Sequence, residues 1–246
     1  MRIPRIYTPA PLTSGQALTL DDNAANHVGR VLRMKPEQAV TLFNGDGMEY
    51  HAVLESVDKR QVTAHIQSAE PNQAESPLSI TLGQVISRGD RMDFAVQKSV
   101  EMGVTRIVPL VSERCEVRLK PDREAKRIRH WRQVAISAAE QCGRSRVPQI
   151  DEVCALDDWF DTAADHDLKL VLHHRSEHSL DHWQQPASVA LMIGPEGGLS
   201  PGEIETALKR GFHPATLGPR VMRTETAPVA AMALLQWLWG DWQPRR

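Results

Sequence analysis

Two short stretches hold side chains whose types and spacing could do chemistry. The first is Gly194-Pro195-Glu196-Gly197-Gly198-Leu199-Ser200, and the second is Leu217-Gly218-Pro219-Arg220-Val221-Met222-Arg223-Thr224-Glu225-Thr226-Ala227. Glycines at this density let backbone N–H and C=O groups come close to a bound molecule. Guanidinium groups such as Arg220 and Arg223 can stabilise an anion that develops during a reaction. A carboxylate such as Glu196 can serve as a base or an orienting group. The competing reading is plainer: Gly and Pro punctuate two turns, and Arg220, Arg223 and Glu225 form a surface ion-pair cluster. The first stretch has neither the Lys-Ser/Thr ending of a nucleoside-triphosphate loop nor the G-x-G-x-x-G spacing of a dinucleotide site. Ser200-Pro201-Gly202-Glu203 reads instead as a helix N-cap with Pro at N1 and Glu at N3, a capping box. That cap occupies the N–H groups a phosphate would need, so a ligand without phosphates is expected.

The elements around these stretches explain how they could be positioned. Val189 to Ile193 and Ala215 to Leu217 are short apolar strands, each followed by a loop and a helix start. Strand, glycine-rich loop and helix, repeated, predict a crevice at the carboxyl ends of parallel strands. Thr226 is expected to cap the apolar helix Ala227 to Trp239, with Pro228 in its first turn. Upstream, Leu78 to Ile86, Val104 to Val111 and Leu168 to Leu172 read as strands, and Asp90 to Met102 as a helix closed by Gly103. Alternating strands and helices imply a parallel sheet with right-handed crossovers. The first seventy residues read differently. Ala39 to Phe43, the turn Asn44-Gly45-Asp46-Gly47 and Tyr50 to Leu54 make a hairpin, and Val62 to Ile66 alternates as a further strand. The polar, proline-containing segment from Ala69 to Pro77 is the expected linker, which gives domains at 1–72 and 73–246.

Taken together, and in this order near the C-terminus, the two loops resemble those of the SPOUT methyltransferases. The likeness covers the whole chain and is closest to the branch that methylates N3 of a uridine in small-subunit ribosomal RNA. It implies an α/β domain whose loops form a deep trefoil knot around a parallel sheet, preceded by a small PUA-like β-barrel. It also implies S-adenosylmethionine as cofactor, 16S ribosomal RNA in the small subunit as substrate and uridine 1498 as target. The cofactor site so implied comprises Leu172, His173, Gly194, Pro195, Glu196, Gly197, Leu217, Gly218, Val221, Met222, Arg223, Thr226 and Ala227. Uracil N3 carries a proton and offers no useful lone pair until it leaves, so the site must favour the anion. Arg220 and Arg223 are the candidates for that role, with Glu196 as base or orienter.

Charge and composition narrow the partners. The 246 residues carry 29 Lys and Arg against 31 Asp and Glu, a formal net charge of -2, so an RNA must be held by local patches. On the N-terminal domain Arg5, Arg30, Arg33 and Lys35 suit phosphate contacts, and His27 to Met34 matches a family motif for RNA binding. Arg88 and Arg144 lie in further matching segments, whereas Lys98 and Glu101 are placed to pair with each other. The helix Asp122 to Gln141 sets an apolar stripe (Ile128, Trp131, Ala135, Ala138) against Arg123, Lys126, Arg127, Arg129 and Arg132. Charge runs are usually solvated faces, and RNA contact is assigned first to Arg144 and less to this helix. Three cysteines without C-x-x-C spacing fit a reducing cytoplasm rather than a disulfide framework. No membrane span is expected. His173, His174, His178 and His182 cluster without cysteines, so no metal is expected; His173 is read as a pocket wall, and His178 and His182 as solvent-facing.

The helix Ala227 to Trp239 is apolar almost all round and needs burial on more than one side, which predicts a homodimer. Two rivals from other classes are a non-catalytic RNA-binding assembly factor with a degenerate pocket and a Rossmann-type nucleotide-binding protein. A SPOUT enzyme acting on another ribosomal or transfer RNA nucleotide is a third. Binding of S-adenosylmethionine separates the first two from an enzyme.

Overall fold

The computed structural model describes residues 3–58, 61–173 and 180–243. Contacts divide the chain into two units, one of 1–75 with 136–147 and the other of 76–135 with 148–246. The segment 136–147 comprises the last turns of a long helix and the five residues beyond its end. It belongs with the N-terminal residues, which a boundary at 72/73 did not foresee. Its side chains explain why: the Tyr7 N–H donates to Glu140 Oε1 at 3.0 Å, and the Arg144 guanidinium grips Glu75.

The first unit is a five-stranded sheet. Its strands are β1 (Arg5–Tyr7), β2 (Ala17–Thr19), β3 (Ala39–Phe43), β4 (Met48–Val57) and β5 (Val62–Pro71), in the order β1-β3-β4-β5-β2. The expected hairpin turn is formed. Gly45 and Gly47 take φ of +97° and +93°, which L side chains resist, and Leu42 faces Tyr50 across the β3–β4 ladder. Strand β5 runs on to Pro71, three residues into the segment read as linker, because the ten-residue β4 still offers partners: Met48 faces Pro71. Register shifts beside His51 and Leu54 mark bulges, which bend a strand. The ladders leave β1 and β2 as edges. Alternation sends Val40, Leu42, Ala52, Leu54, Ala64 and Ile66 into one core with Ile6 and Val28. A short helix, α1 (Asp22–Asn26), capped by the Asp21 carboxylate, runs directly into a π-helical turn at His27–Val31.

The second unit is built on a parallel sheet. Strands β6 (Ser79–Val85), β7 (Arg106–Val111), β8 (Gln149–Ile150), β9 (Cys154–Ala155), β10 (Leu168–Leu172), β11 (Ser188–Ile193) and β12 (His213–Ala215) are ordered β12-β10-β11-β6-β7-β8, with β9 also on β7. Every ladder in it is parallel. Such sheets are covered on both faces and read as continuous apolar runs; Val189 to Ile193 and Ile80 to Val85 are buried without interruption. The covering helices include α2 (Asp90–Glu101), α3 (Pro121–Cys142), α4 (Leu156–Thr162), α5 (Pro201–Lys209) and α6 (Thr226–Trp239). On α3 the stripe of Ile128, Trp131 and Ala135 is buried as its spacing requires. Helix α2 ends at Glu101, and Gly103 turns the chain with φ of +84°.

Candidate active site

Strands β12, β10 and β11 lie side by side, and their carboxyl ends bring Ala215, Leu172-His173 and Ile193 to one edge of the sheet. The loops that leave β11 and β12 border that edge and line an open cavity of about 580 Å³. Twelve of the residues expected at the site line it: Leu172, His173, Gly194, Pro195, Glu196, Gly197, Leu217, Arg220, Val221, Met222, Arg223 and Ala227. Gly218 and Thr226 do not. Gly218, at φ of +92°, turns the loop and presents its carbonyl to the Thr216 hydroxyl at 3.2 Å. Strand β12 therefore ends at Ala215, two residues short of the expected Leu217. Thr226 is the first residue of α6 and exposed; the helix begins on Glu225 with no side-chain cap, so the expected threonine cap is not made.

The capping box of α5 is formed. The Glu203 N–H donates to Ser200 Oγ at 3.3 Å and the Ser200 N–H to Glu203 Oε2 at 2.7 Å. The other oxygen of Glu203 accepts the Glu113 N–H at 2.7 Å. The N–H groups of Ser200, Glu203 and Ile204 at this helix start are taken up by protein acceptors, which fits a ligand without phosphates.

Two features that hold the loops in place lay outside the expected set. From the first turn of α2, Arg91 Nη1 donates to Glu196 Oε1 at 2.8 Å, and the same guanidinium lies 3.9 Å from Glu225. Glu196 Oε1 also accepts the Arg88 N–H at 3.2 Å. Burial opposes ionisation of Glu196, but hydrogen bonds from its own N–H, from Arg88 and from Arg91 outweigh it and hold its carboxyl below the usual range. Second, the fully buried Gln84 of β6 donates to Thr224 Oγ1 at 3.1 Å, and that hydroxyl donates to the Gly194 carbonyl at 2.8 Å. One hydrogen-bonded chain thus ties a central strand to both loops. A glutamine within an apolar strand was the visible signal for it. Nothing in local spacing pointed to Arg91. Arg114 completes the rim, with Nη1 at 3.3 Å from the Gly197 carbonyl.

Arg220 and Arg223 stand apart. Both are exposed, both line the cavity, and neither side chain makes a hydrogen bond or ion pair among the described residues. The three residues expected to be catalytic are therefore two uncommitted guanidiniums and one committed carboxylate.

The cavity suits a nucleoside joined to an amino acid. Its volume lies in the small-molecule range. Ile193, Leu199, Ile204 and Met222 offer an apolar wall, and His173, Thr216 and Glu225 offer polar groups. Leu217, Val221 and Met222 donate no backbone hydrogen bond among the described residues, which leaves N–H groups for a ligand. A Cβ on Gly194 would fall 3.0 Å from the Leu199 side chain, which would have to shift to make room for it.

A model of the RNA methyltransferase domain matches residues 74–236. The chain belongs to the RNA methyltransferase family. A PUA domain of RNA methyltransferases matches residues 20–67. Among its relatives, ribosomal RNA small subunit methyltransferase E of Buchnera aphidicola subsp. Schizaphis graminum is 36% identical, with 98% of each chain covered. A Legionella pneumophila protein solved with its bound cofactor SAM superposes with a TM-score of 0.95 at 45% identity, covering 98% of this chain and 100% of that one. Ribosomal RNA small subunit methyltransferase E from Neisseria gonorrhoeae, solved with S-adenosyl methionine, gives a TM-score of 0.93 at 42% identity over the same shares. The α/β fold of SPOUT type with an N-terminal PUA domain, read from the sequence, stands.

In this RNA methyltransferase the residues expected to touch RNA fall into three groups. Arg5 and Arg144, both expected at the RNA, have protein partners. Arg5, with a side chain 9% exposed, pairs with Glu49, donates to Ser145 Oγ at 2.9 Å and lies over the Phe43 ring. Arg144 is 4% exposed and donates to Glu75 at 2.8 Å from Nη2 and 3.2 Å from Nε. Both guanidiniums are committed to partners inside the first unit. Arg30, Arg33 and Lys35 are exposed beside the π-helical turn and form no ion pair among the described residues; Arg33 takes φ of +52°. Arg88 is exposed but paired with Glu116, and Lys98 bonds Glu101 at 2.7 Å as expected. Of the histidines, His173 forms part of the cavity wall and His182 is exposed, while His174 and His178 lie outside the described residues. The one grouping of metal-ligand type among the described residues is elsewhere, Glu49, His51 and Glu70 on the β4–β5 ladder, where Glu49 already pairs with Arg5.

Proposed function

We propose that this chain transfers the methyl group of S-adenosylmethionine to N3 of a uridine in the 16S ribosomal RNA of the small subunit, uridine 1498 by resemblance. The observation that carries the reading is a pair of guanidiniums without partners among the described residues, Arg220 and Arg223, on the rim of a glycine-rich cavity free of phosphate-binding features. When bound, S-adenosylmethionine supplies an electrophilic methyl group on a sulfonium. The chain's own part is to hold and ionise the base. A guanidinium beside the uracil oxygens favours the N3 anion, and Gly194, Gly197 and the free N–H groups of the second loop position the donor. Against the opposing effect of burial, hydrogen bonds from its own N–H, from Arg88 and from Arg91 hold the Glu196 carboxyl below the usual range, which makes it a poor base; its part is to fix its loop, and the N3 proton leaves to solvent.

The loops that cross at this edge are read as the threads of a deep trefoil knot. A homodimer is proposed around α6, which leaves Leu234 43% and Trp237 51% exposed in a helix with few polar residues. No described helix is long and apolar enough to cross a membrane, and a ribosomal substrate fits a cytoplasmic protein.

The test incubates the protein with labelled S-adenosylmethionine and small subunits from cells lacking it, then maps the modified base. Methylation at uridine N3 blocks pairing and stops a copying polymerase at one site. Cofactor binding without methyl transfer would favour the assembly-factor reading, and a label on another nucleotide would correct the target.

A further inference from the structure

The strongest unused charge on the second unit runs away from the cavity rim. From Arg114, which lines the cavity, the chain continues through Arg118 and Lys120 into the first half of α3, with Arg123, Lys126, Arg127 and Arg129. All seven cations are exposed. Except for the Arg114 bond to Gly197, none of their side chains makes a hydrogen bond or ion pair among the described residues. This differs from the other charged positions nearby: Arg132 is tied to Ile150 and Glu152, and His130 to Asp93. Glu116, an acid inside the tract, is neutralised by Arg88, which leaves Asp122 and Glu124 to oppose seven cations.

At 100° per residue, Arg123, Lys126 and Arg127 share one face of α3, and Ile128, Trp131 and Ala135 lie on the buried one. One turn, Arg123 to Arg127, advances about 6 Å, close to the separation of successive phosphates along a strand. The face carries no exposed Trp, Phe or Leu, which a helix lying in a lipid surface would need. A cavity of about 580 Å³ is of small-molecule size, so RNA that flanks a reacting nucleotide must be held outside it.

We infer that the tract Arg118–Arg127 is a phosphate-binding track for the RNA strand that flanks the target nucleotide, engaged without reading its sequence. The inference rests on the methyltransferase reading above. It moves the RNA contact of this region from Arg144, which is buried, to the helix face, which the sequence had ranked lower.

The test uses the full chain with Arg123, Lys126 and Arg127 all changed to Gln, and a second variant with Arg118→Gln and Lys120→Gln. Binding of a 16S RNA fragment is followed from 50 to 200 mM salt, alongside S-adenosylmethionine affinity and methylation. Each lost single-strand phosphate contact lowers the salt slope by about 0.7. The triple variant should therefore lose roughly tenfold to twentyfold less affinity over that range than the parent. Its KM for RNA should rise while kcat at saturating RNA and cofactor affinity stay within about twofold, and lysines at 123 and 127 should restore binding. An unchanged salt slope in both variants overturns the track, as does preferential binding of the tract to anionic vesicles over RNA. A parent that binds RNA through the tract yet transfers no methyl group contradicts the proposed activity and leaves the track standing.

Discussion

Arg220 and Arg223 differ from Arg91 and Arg114 in one respect: the latter two already bond protein acceptors at the cavity. A guanidinium without a partner has its donors free for an anion that forms during reaction. Arg220→Ala or Arg223→Ala is expected to leave S-adenosylmethionine affinity nearly unchanged and to lower single-turnover methylation roughly 10²- to 10³-fold. Raising pH should recover part of that loss, because hydroxide then supplies the uracil anion. If both variants stay within about threefold of the parent, neither arginine has the role. Glu196 makes the opposite case. Its carboxyl is depressed below the usual range, so the contribution of its ionised form is complete above the ordinary carboxylate range and is lost as pH falls through the depressed value. Cofactor affinity of the parent should hold from neutral pH into mild acid and decay only below that range. Glu196→Gln should bind more weakly throughout and lack the acid limb, as titration calorimetry across pH would show. A Gln variant that instead lost turnover at full cofactor affinity would return Glu196 to the role of base.

At the scale of elements, the site depends on a strand and two loops sharing one hydrogen-bonded chain, Gln84 to Thr224 to Gly194. Gln84 and Thr224 are buried, and the Gly194 carbonyl lies at the cavity wall. Thr224→Val keeps shape and removes the hydroxyl, leaving the Gln84 amide and the Gly194 carbonyl each short of a bond. A loss of about 1–3 kcal/mol in stability is expected, together with weaker cofactor binding, since both loops lose the same anchor. Denaturant midpoints and cofactor titrations on one preparation would show both effects; a change in stability alone would mean that the loops are held in other ways. By contrast, the α5 capping box is local, made by residues three apart.

For the molecule as a whole, two expectations concern what each part needs. Trp237→Glu places a charge on the exposed apolar side of α6, and sedimentation should then show a monomer; a dimer of unchanged affinity would remove α6 from the interface. The second concerns division of the chain. A fragment beginning at Ser76 contains both loops and should retain S-adenosylmethionine binding. It lacks Tyr7 and Glu75, however, the partners of Glu140 and Arg144. The last turn of α3 should fray, with reduced helicity and a lower Tm than the full chain. Its loss of RNA affinity would then trace to Arg30, Arg33 and Lys35, because Arg5 is an internal tie. A fragment as stable as the full chain would show that 136–147 needs no partner from 1–75.

The sequence by itself determined whatever depends on neighbours along the chain. The Asn44-Gly45-Asp46-Gly47 turn, the Ser200–Glu203 box, the buried stripe of α3 and the two loops after β11 and β12 were all legible, because turn and cap chemistry acts over a few residues and periodicity marks a buried face. The Thr226 cap and the end of β12 were misplaced by a residue or two, where helix and strand ends respond to tertiary bonds. Tertiary structure alone decided which charges are free. Arg91 meets Glu196 across 105 residues, Arg144 meets Glu75 across 69, and Gln84 meets Thr224 across 140. These pairs exist because β6 lies between β11 and β7 and because 136–147 packs with the N-terminal unit. Local spacing carries no record of either arrangement, so an arginine buried on a carboxylate and an arginine open to RNA look the same in the chain.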